Sequence, residues 1–240
     1  MVRALILVLL SGAAYGQSAP APRFEVASVK PSMAGPGRST GVATGHGRVT
    51  VGNETLKRCI MGAFNVGPHQ IAGGPAWLDS DRFEIAAKSE RAEDNDEVLM
   101  AMLRTLLAER FQLVVHRETR TVQALVLEVA KNGPKLEKAA DGPATTENGR
   151  GLIDAKVITM NRFAQVLSRQ MELPVVDRTG LEGSFNLKLE WAPETVKPDA
   201  MESRPSIFSA VQQQLGLRLE SRKVAMEILV IDHAEKPSEN

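Results

Sequence analysis

The side chains able to do chemistry are few and spread along the whole chain. Four histidines, His46, His69, His116 and His233, lie on separate segments. None has a second histidine or a cysteine two or four residues away, the spacings at which one strand or one helix face presents a pair of metal ligands. Asp79-Ser80-Asp81 places two carboxylates where they could hold a cation or a sugar; the plainer role of such a pair is to cap the turn before a strand. Asp177-Arg178-Thr179-Gly180 has the composition of a strand-end turn, with an Asp177–Arg178 ion pair expected to fix it. Trp77 falls in the Gly/Pro turn 73–78, where it either anchors a glycan or partner protein from the surface or packs over an apolar face. Trp77, Asp79, Asp81, Asp177 and Arg178 are therefore the candidate surface-binding residues.

No catalytic, cofactor-binding or metal-binding residue emerges from the motifs. The sequence holds no G-x-S-x-G elbow, no phosphate loop with its lysine and no H-E-x-x-H. The stretch 35–47 is rich in glycine but is followed by no helix of the kind that makes an anion cradle, so it reads as a flexible loop or a loose hairpin. Cys59, the single cysteine, sits beside Ile60 and Met61 in an expected helix and reads as a small buried hydrophobe. Lys and Arg number 29 against 29 Asp and Glu. This balance gives no electrostatic case for nucleic acid. An enzyme, a hydrolase of envelope polymers for example, would have to assemble its site from Asp79, Asp81, His116 and Asp177.

The segments that position these residues begin with a leader. Arg3, the apolar run 4–10 and the small residues Ala14 and Gly16 form a secretory signal peptide over 1–16, followed by a tether over 17–23. The apolar run is far too short to span a bilayer. The expected location is outside the cytoplasm, periplasmic or extracellular, with no stable membrane insertion after cleavage.

Beyond the tether, four units share one grammar, a capped amphipathic helix followed by a β-hairpin. The helices are expected after Asn53, over 96–110, after Thr159 and after Pro205, the last with Ser203 as cap and Ile207, Phe208, Val211 and Leu215 facing the core. Hairpins are expected over 113–130, with one strand at 113–116 and another at 121–130, and over 217–233, with a turn at 221–223. Residues 138–150 lack apolar period and read as a linker or long loop. The expected fold is α+β in two similar halves, 24–137 and 151–240, with helices packed on antiparallel or mixed sheets.

The motifs FEVASVKPS, GGPAWLDSDRFEIAAK, LLAERFQLVVHRETR, LPVVDRTGLEGSFNLKLEW and PSIFSAVQQQLGLRLESRK resemble the Solibacter-type family of secreted acidobacterial proteins of unknown function. A related domain in that family is fused to BlaR1-like membrane metallopeptidases. The resemblance implies no catalytic residue and no cofactor. The helix, Leu-Gly-Leu strand and hairpin at the C-terminus are also similar to small periplasmic protein-contact domains of secretins and TonB-dependent receptors. The leading expectation is a non-catalytic binding module of the cell envelope or secretome, its partner an envelope protein or a glycan. The alternatives are the hydrolase above and a stand-alone sensor domain related to the antirepressor receptors.

Overall fold

The computed structural model describes residues 21–35, 39, 41–193 and 204–237. The expected signal peptide and the first part of the tether lie outside them. In chain order the elements are β1 (Val26–Pro31), β2 (Gly41–Gly45), β3 (Arg48–Thr55), α1 (Leu56–Phe64), β4 (Ile71–Gly73), β5 (Arg82–Lys88), α2 (Asp96–Phe111) and β6 (Val114–Val129). There follow β7 (Glu137–Lys138), β8 (Thr145–Gly149), β9 (Leu152–Ile158), α3 (Met160–Ser168), β10 (Val175–Asp177), β11 (Phe185–Glu190), α4 (Ile207–Leu215) and β12 (Leu217–His233). The fold is α+β, four helices with three mostly antiparallel sheets of order β1-β5-β3-β2, β10-β6-β12-β4 and β7-β11-β9-β8. None of the described helices is long and apolar enough to cross a membrane.

Each helix starts where a short polar side chain satisfies a free backbone N–H. Thr55 accepts from Arg58 N, Asn95 from Val98 N, Thr159 from Arg162 N and Ser206 from Ser209 N. The first cap is Thr55, not Asn53: Asn53 is instead the left-handed residue (φ 52°) of a bulge in β3, two residues earlier. The last cap is Ser206, immediately after Pro205; Ser203 lies outside the described residues. Gly216 ends α4 in the left-handed conformation, as its position after the stripe requires. Phe208 does not face the core. It is 44% exposed, and Ala210 takes the buried place beside Ile207, Val211 and Leu215.

The two long hairpins are not formed. Residues 114–129 are one strand, β6, and residues 217–233 are another, β12, and the two run antiparallel along their full lengths. The expected turns contain charged runs, Arg117-Glu118-Thr119-Arg120 and Ser221-Arg222-Lys223, without apolar alternation. In the ribbon these runs are the middle, solvated on both faces, so nothing there demands an apolar side chain; cross-strand backbone bonds and ion pairs such as Arg117–Glu227 and Arg222–Glu128 hold them straight. β10 adds in parallel to the far end of β6, and β4 in parallel to the far end of β12. The stretch 138–150 is likewise not a plain loop, since β8 within it pairs with β9 as a sheet edge.

Two hydrophobic cores result. One packs Val49, Ile60, Leu103, Leu107 and Phe111 with Leu229 and Ile231 from the end of β12. The other packs Ile153, Phe163, Leu167 and Leu189 with Leu125 and Leu127 from the end of β6. Each ribbon strand leaves the core of the helix before it and ends in the other core.

Candidate functional site

The five candidate surface residues are placed in three neighbourhoods. Trp77 is half-buried and packs: its ring stacks on Phe111 at 6.5 Å and meets Phe83 edge-on at 6.3 Å, with the Lys236 ammonium 5.9 Å from its centre. Asp79 pairs with Lys57 at 2.9 Å, and Asp81 with Lys236 at 2.6 Å and Ser80 at 2.9 Å. Hydrogen bonds from Lys236 and Ser80 hold the Asp81 carboxyl below the usual carboxylate range. The Asp177 carboxylate accepts from Thr179 N at 2.9 Å and Thr179 Oγ1 at 2.8 Å, which closes the turn; no Asp177–Arg178 ion pair occurs among the described residues, and the Arg178 amide donates to Leu127 O instead.

The hydrolase constellation is not brought together. Asp79, Asp81 and Asp177 have the partners just named. His116 bonds Asp232 at 2.8 Å on an exposed face near one end of the ribbon, and that bond raises its pKa. Of the other histidines, His69 Nε2 lies 3.2 Å from Ser168 O, tying the turn after α1 to the end of α3, and His233 pairs with Glu235. Among the described residues no group of three His, Cys, Asp or Glu side chains has the arrangement of a metal site.

A cleft of about 790 Å³ opens beside these residues, and no sequence motif marks it. Its walls come from β2, β3 and α1 on one side and α3 on the other. Arg58, Met61 and Asn65 of the α1 segment face Arg162, Gln165 and Arg169 of the α3 segment. Lys57, Asp79, Arg82 and Asp96 also line it. At its β3 wall lies Glu54, whose side chain is 4% exposed. Glu54 accepts a short hydrogen bond from Ser39 and has Arg58 at 3.7 Å and Arg82 at 3.9 Å. The neighbouring Asn53, 3% exposed, donates to Gly35 O at 3.0 Å. Of the glycine-rich stretch, Gly35 and Ser39 are thus fastened to the β3 bulge, and Gly41–Gly45 form a hairpin with β3.

Burial first, and then the neighbouring Arg162 and Arg58, lower the pKa of the Arg169 guanidinium. Burial also pushes the Cys59 thiol, behind the same wall, up to about 12, with Glu54 adding to the effect. A signal for the cleft was present in the sequence. Thr55-Leu56-Lys57-Arg58 and Thr159-Met160-Asn161-Arg162 are both cap-x-x-Arg, and both arginines line it.

No curated protein and no solved structure matches the chain. The model of the family described as "Protein of unknown function (DUF3738)" matches residues 57–234, which include α3, both ribbon strands and all of α1 but its first residue, and the chain belongs to that family.

Proposed function

We propose that the protein is an exported, non-catalytic binding module, built from two copies of one unit, whose ligand surface is the cleft between α1 and α3. The observation that carries the reading is the composition of the cleft. The same three positions of each helix segment line it: 58, 61 and 65 on one side, 162, 165 and 169 on the other.

A single spacing of 104 residues, that from 71 to 175, supports the duplication throughout. It relates the caps Thr55 and Thr159, the left-handed bulge residues Asn53 and Val157, and the left-handed helix ends Gln112 and Gly216. It relates the parallel pairs Leu125–Val175 and Leu229–Ile71. It also separates Thr121 from Ala225, which face each other in the ribbon, so a local two-fold axis passes between them. The sheet orders β1-β5-β3-β2 and β7-β11-β9-β8 correspond strand for strand. On this reading the halves 24–137 and 151–240 exchange the ends of their long strands, and the cleft is where equivalent helices face each other. The partner is an envelope protein or a glycan. Kinship with the acidobacterial and BlaR1-related proteins has the quoted motifs as its support.

The test is affinity capture from the native envelope and secretome, using the chain from Gln17 and a Gln165→Trp variant that fills the cleft. The expected result is a partner held by the first bait and lost by the second. Recovery of no protein or glycan, or equal recovery by both, overturns the proposal. Export is checked on the protein isolated from the envelope or medium, whose first residue is expected to be Gln17.

A further inference from the structure

We infer that the α1–α3 cleft is an oxyanion site, in which Arg58, Arg162 and Arg169 hold a carboxylate, sulfate or phosphate group of the ligand. The inference rests on the cleft being the binding surface proposed above, and adds its chemistry.

The remaining charges of the cleft are largely spent within the protein. Lys57 is paired with Asp79 at 2.9 Å. Arg82 donates to Asn53 O at 2.8 Å and neighbours Glu54. Asp96 belongs to the first turn of α2, where the helix dipole favours a carboxylate. The three arginines differ. Arg58, its side chain 70% exposed, meets Glu54 through Nε at 3.7 Å, beyond hydrogen-bond distance. Arg162 donates from Nη1 to the neutral Gln165 at 3.0 Å. Among the described residues no carboxylate forms an ion pair with Arg162 or Arg169, and the charges felt by Arg169 are those of Arg162 and Arg58. Like charges gathered in one concavity repel, and a bound anion converts that repulsion into attraction. A guanidinium offers a planar fork that fits two oxygens of a carboxylate, sulfate or phosphate at once.

The frame for this cluster is rigid. Arg58 and Arg162 both leave the first turn of a helix whose threonine cap is bonded to that same arginine's amide. The His69–Ser168 bond fixes the turn after α1 against the end of α3, next to Arg169. Met61, Val66, Pro68 and Met100 supply apolar lining for the ligand's carbon skeleton. A volume of about 790 Å³ exceeds what a bare phosphate fills, so the anion is expected as part of a larger molecule.

The experiment is titration calorimetry on the chain from Gln17 at low salt. The probes are inorganic phosphate, citrate, polygalacturonate and, as the neutral control, dextran. At least one anionic probe is expected to bind and dextran is not. The affinity should fall about tenfold in Arg169→Ala, further in Arg162→Ala/Arg169→Ala, and with rising salt. Arg120→Ala, which removes an exposed guanidinium from the ribbon, should leave it unchanged. Arg169→Lys keeps the charge without the fork and should weaken binding while the thermal transition stays at its original midpoint, which separates recognition from folding. Tighter binding of polygalacturonate than of the small anions assigns a polymer-borne carboxylate; the reverse order assigns a free anion. Absence of binding by every anionic probe, or equal binding by the double-alanine variant, overturns the inference. A neutral ligand captured by the native bait and lost by Gln165→Trp would keep the cleft as the binding surface and overturn its oxyanion chemistry.

Discussion

At the scale of single residues, environment separates groups of similar intrinsic chemistry. Cys59 is fully buried on the inner face of α1, and burial together with Glu54 pushes its thiol up to about 12. Since the thiolate is the reactive form, Cys59 should resist alkylation at pH 8 in the folded protein and react at once in denaturant, as followed by mass spectrometry. His116 is the opposite case. It is exposed, and its bond to Asp232 favours the charged imidazolium, raising the pKa above the ordinary 6.5. A histidine whose folded pKa is raised stabilises the fold fully below its unfolded pKa, and the contribution fades as pH rises through the folded value. An NMR titration should place the His116 midpoint above 6.5 and return it towards that value in Asp232→Asn.

At the scale of elements, what was legible depended on whether burial was local. Four helices could be read because caps and apolar stripes are written within one segment: Thr159 with Phe163, Ala164 and Leu167, or the stripe Leu99, Leu103, Leu106 and Leu107. β5, β9 and β11 could be read because one face is buried and the alternation survives, as in Phe83, Ile85 and Ala87. The ribbon could not. Its middle is stabilised by a strand 104 residues away in the chain, and the charged residues there obey no local period. The cleft was missed for the same reason, because its two walls are separated by that distance and its arginines are ordinary surface residues until the walls meet. The bulge in β3 offers an element-scale prediction. Asn53 holds φ 52°, tolerable for asparagine, and its amide ties down Gly35. Asn53→Ala should lose about 1–3 kcal/mol in denaturant unfolding, from backbone strain and a lost buried hydrogen bond. A smaller loss for Asn53→Gly, which removes the bond but accepts the conformation, would separate the two causes.

At the scale of the molecule, the reciprocal path of β6 and β12 decides how damage spreads. From the sequence, deleting Met226–His233 is expected to unfold at least the C-terminal half, the one that contains it. Core membership places the first damage in the other half. Leu229 and Ile231 are 1% and 3% exposed and belong to the core of α1 and α2, while α3 and α4 close over Leu125 and Leu127. The deletion also strips the parallel partner of β4 and leaves the first ribbon half of β6 unpaired. Truncation before Met226 should therefore unfold the N-terminal core first. Hydrogen exchange should show protection lost at α2 and β5 and retained at α3 and β11. Point substitutions make the same argument without removing a strand. Leu229→Ala should cost about 2–5 kcal/mol and expose amides around α2, and Leu125→Ala, in the other core, should cost a similar amount and expose amides around α3. If both variants instead open the same set of amides, the two cores unfold as one cooperative unit, and the exchange of strands ties them together more tightly than their separate packing suggests.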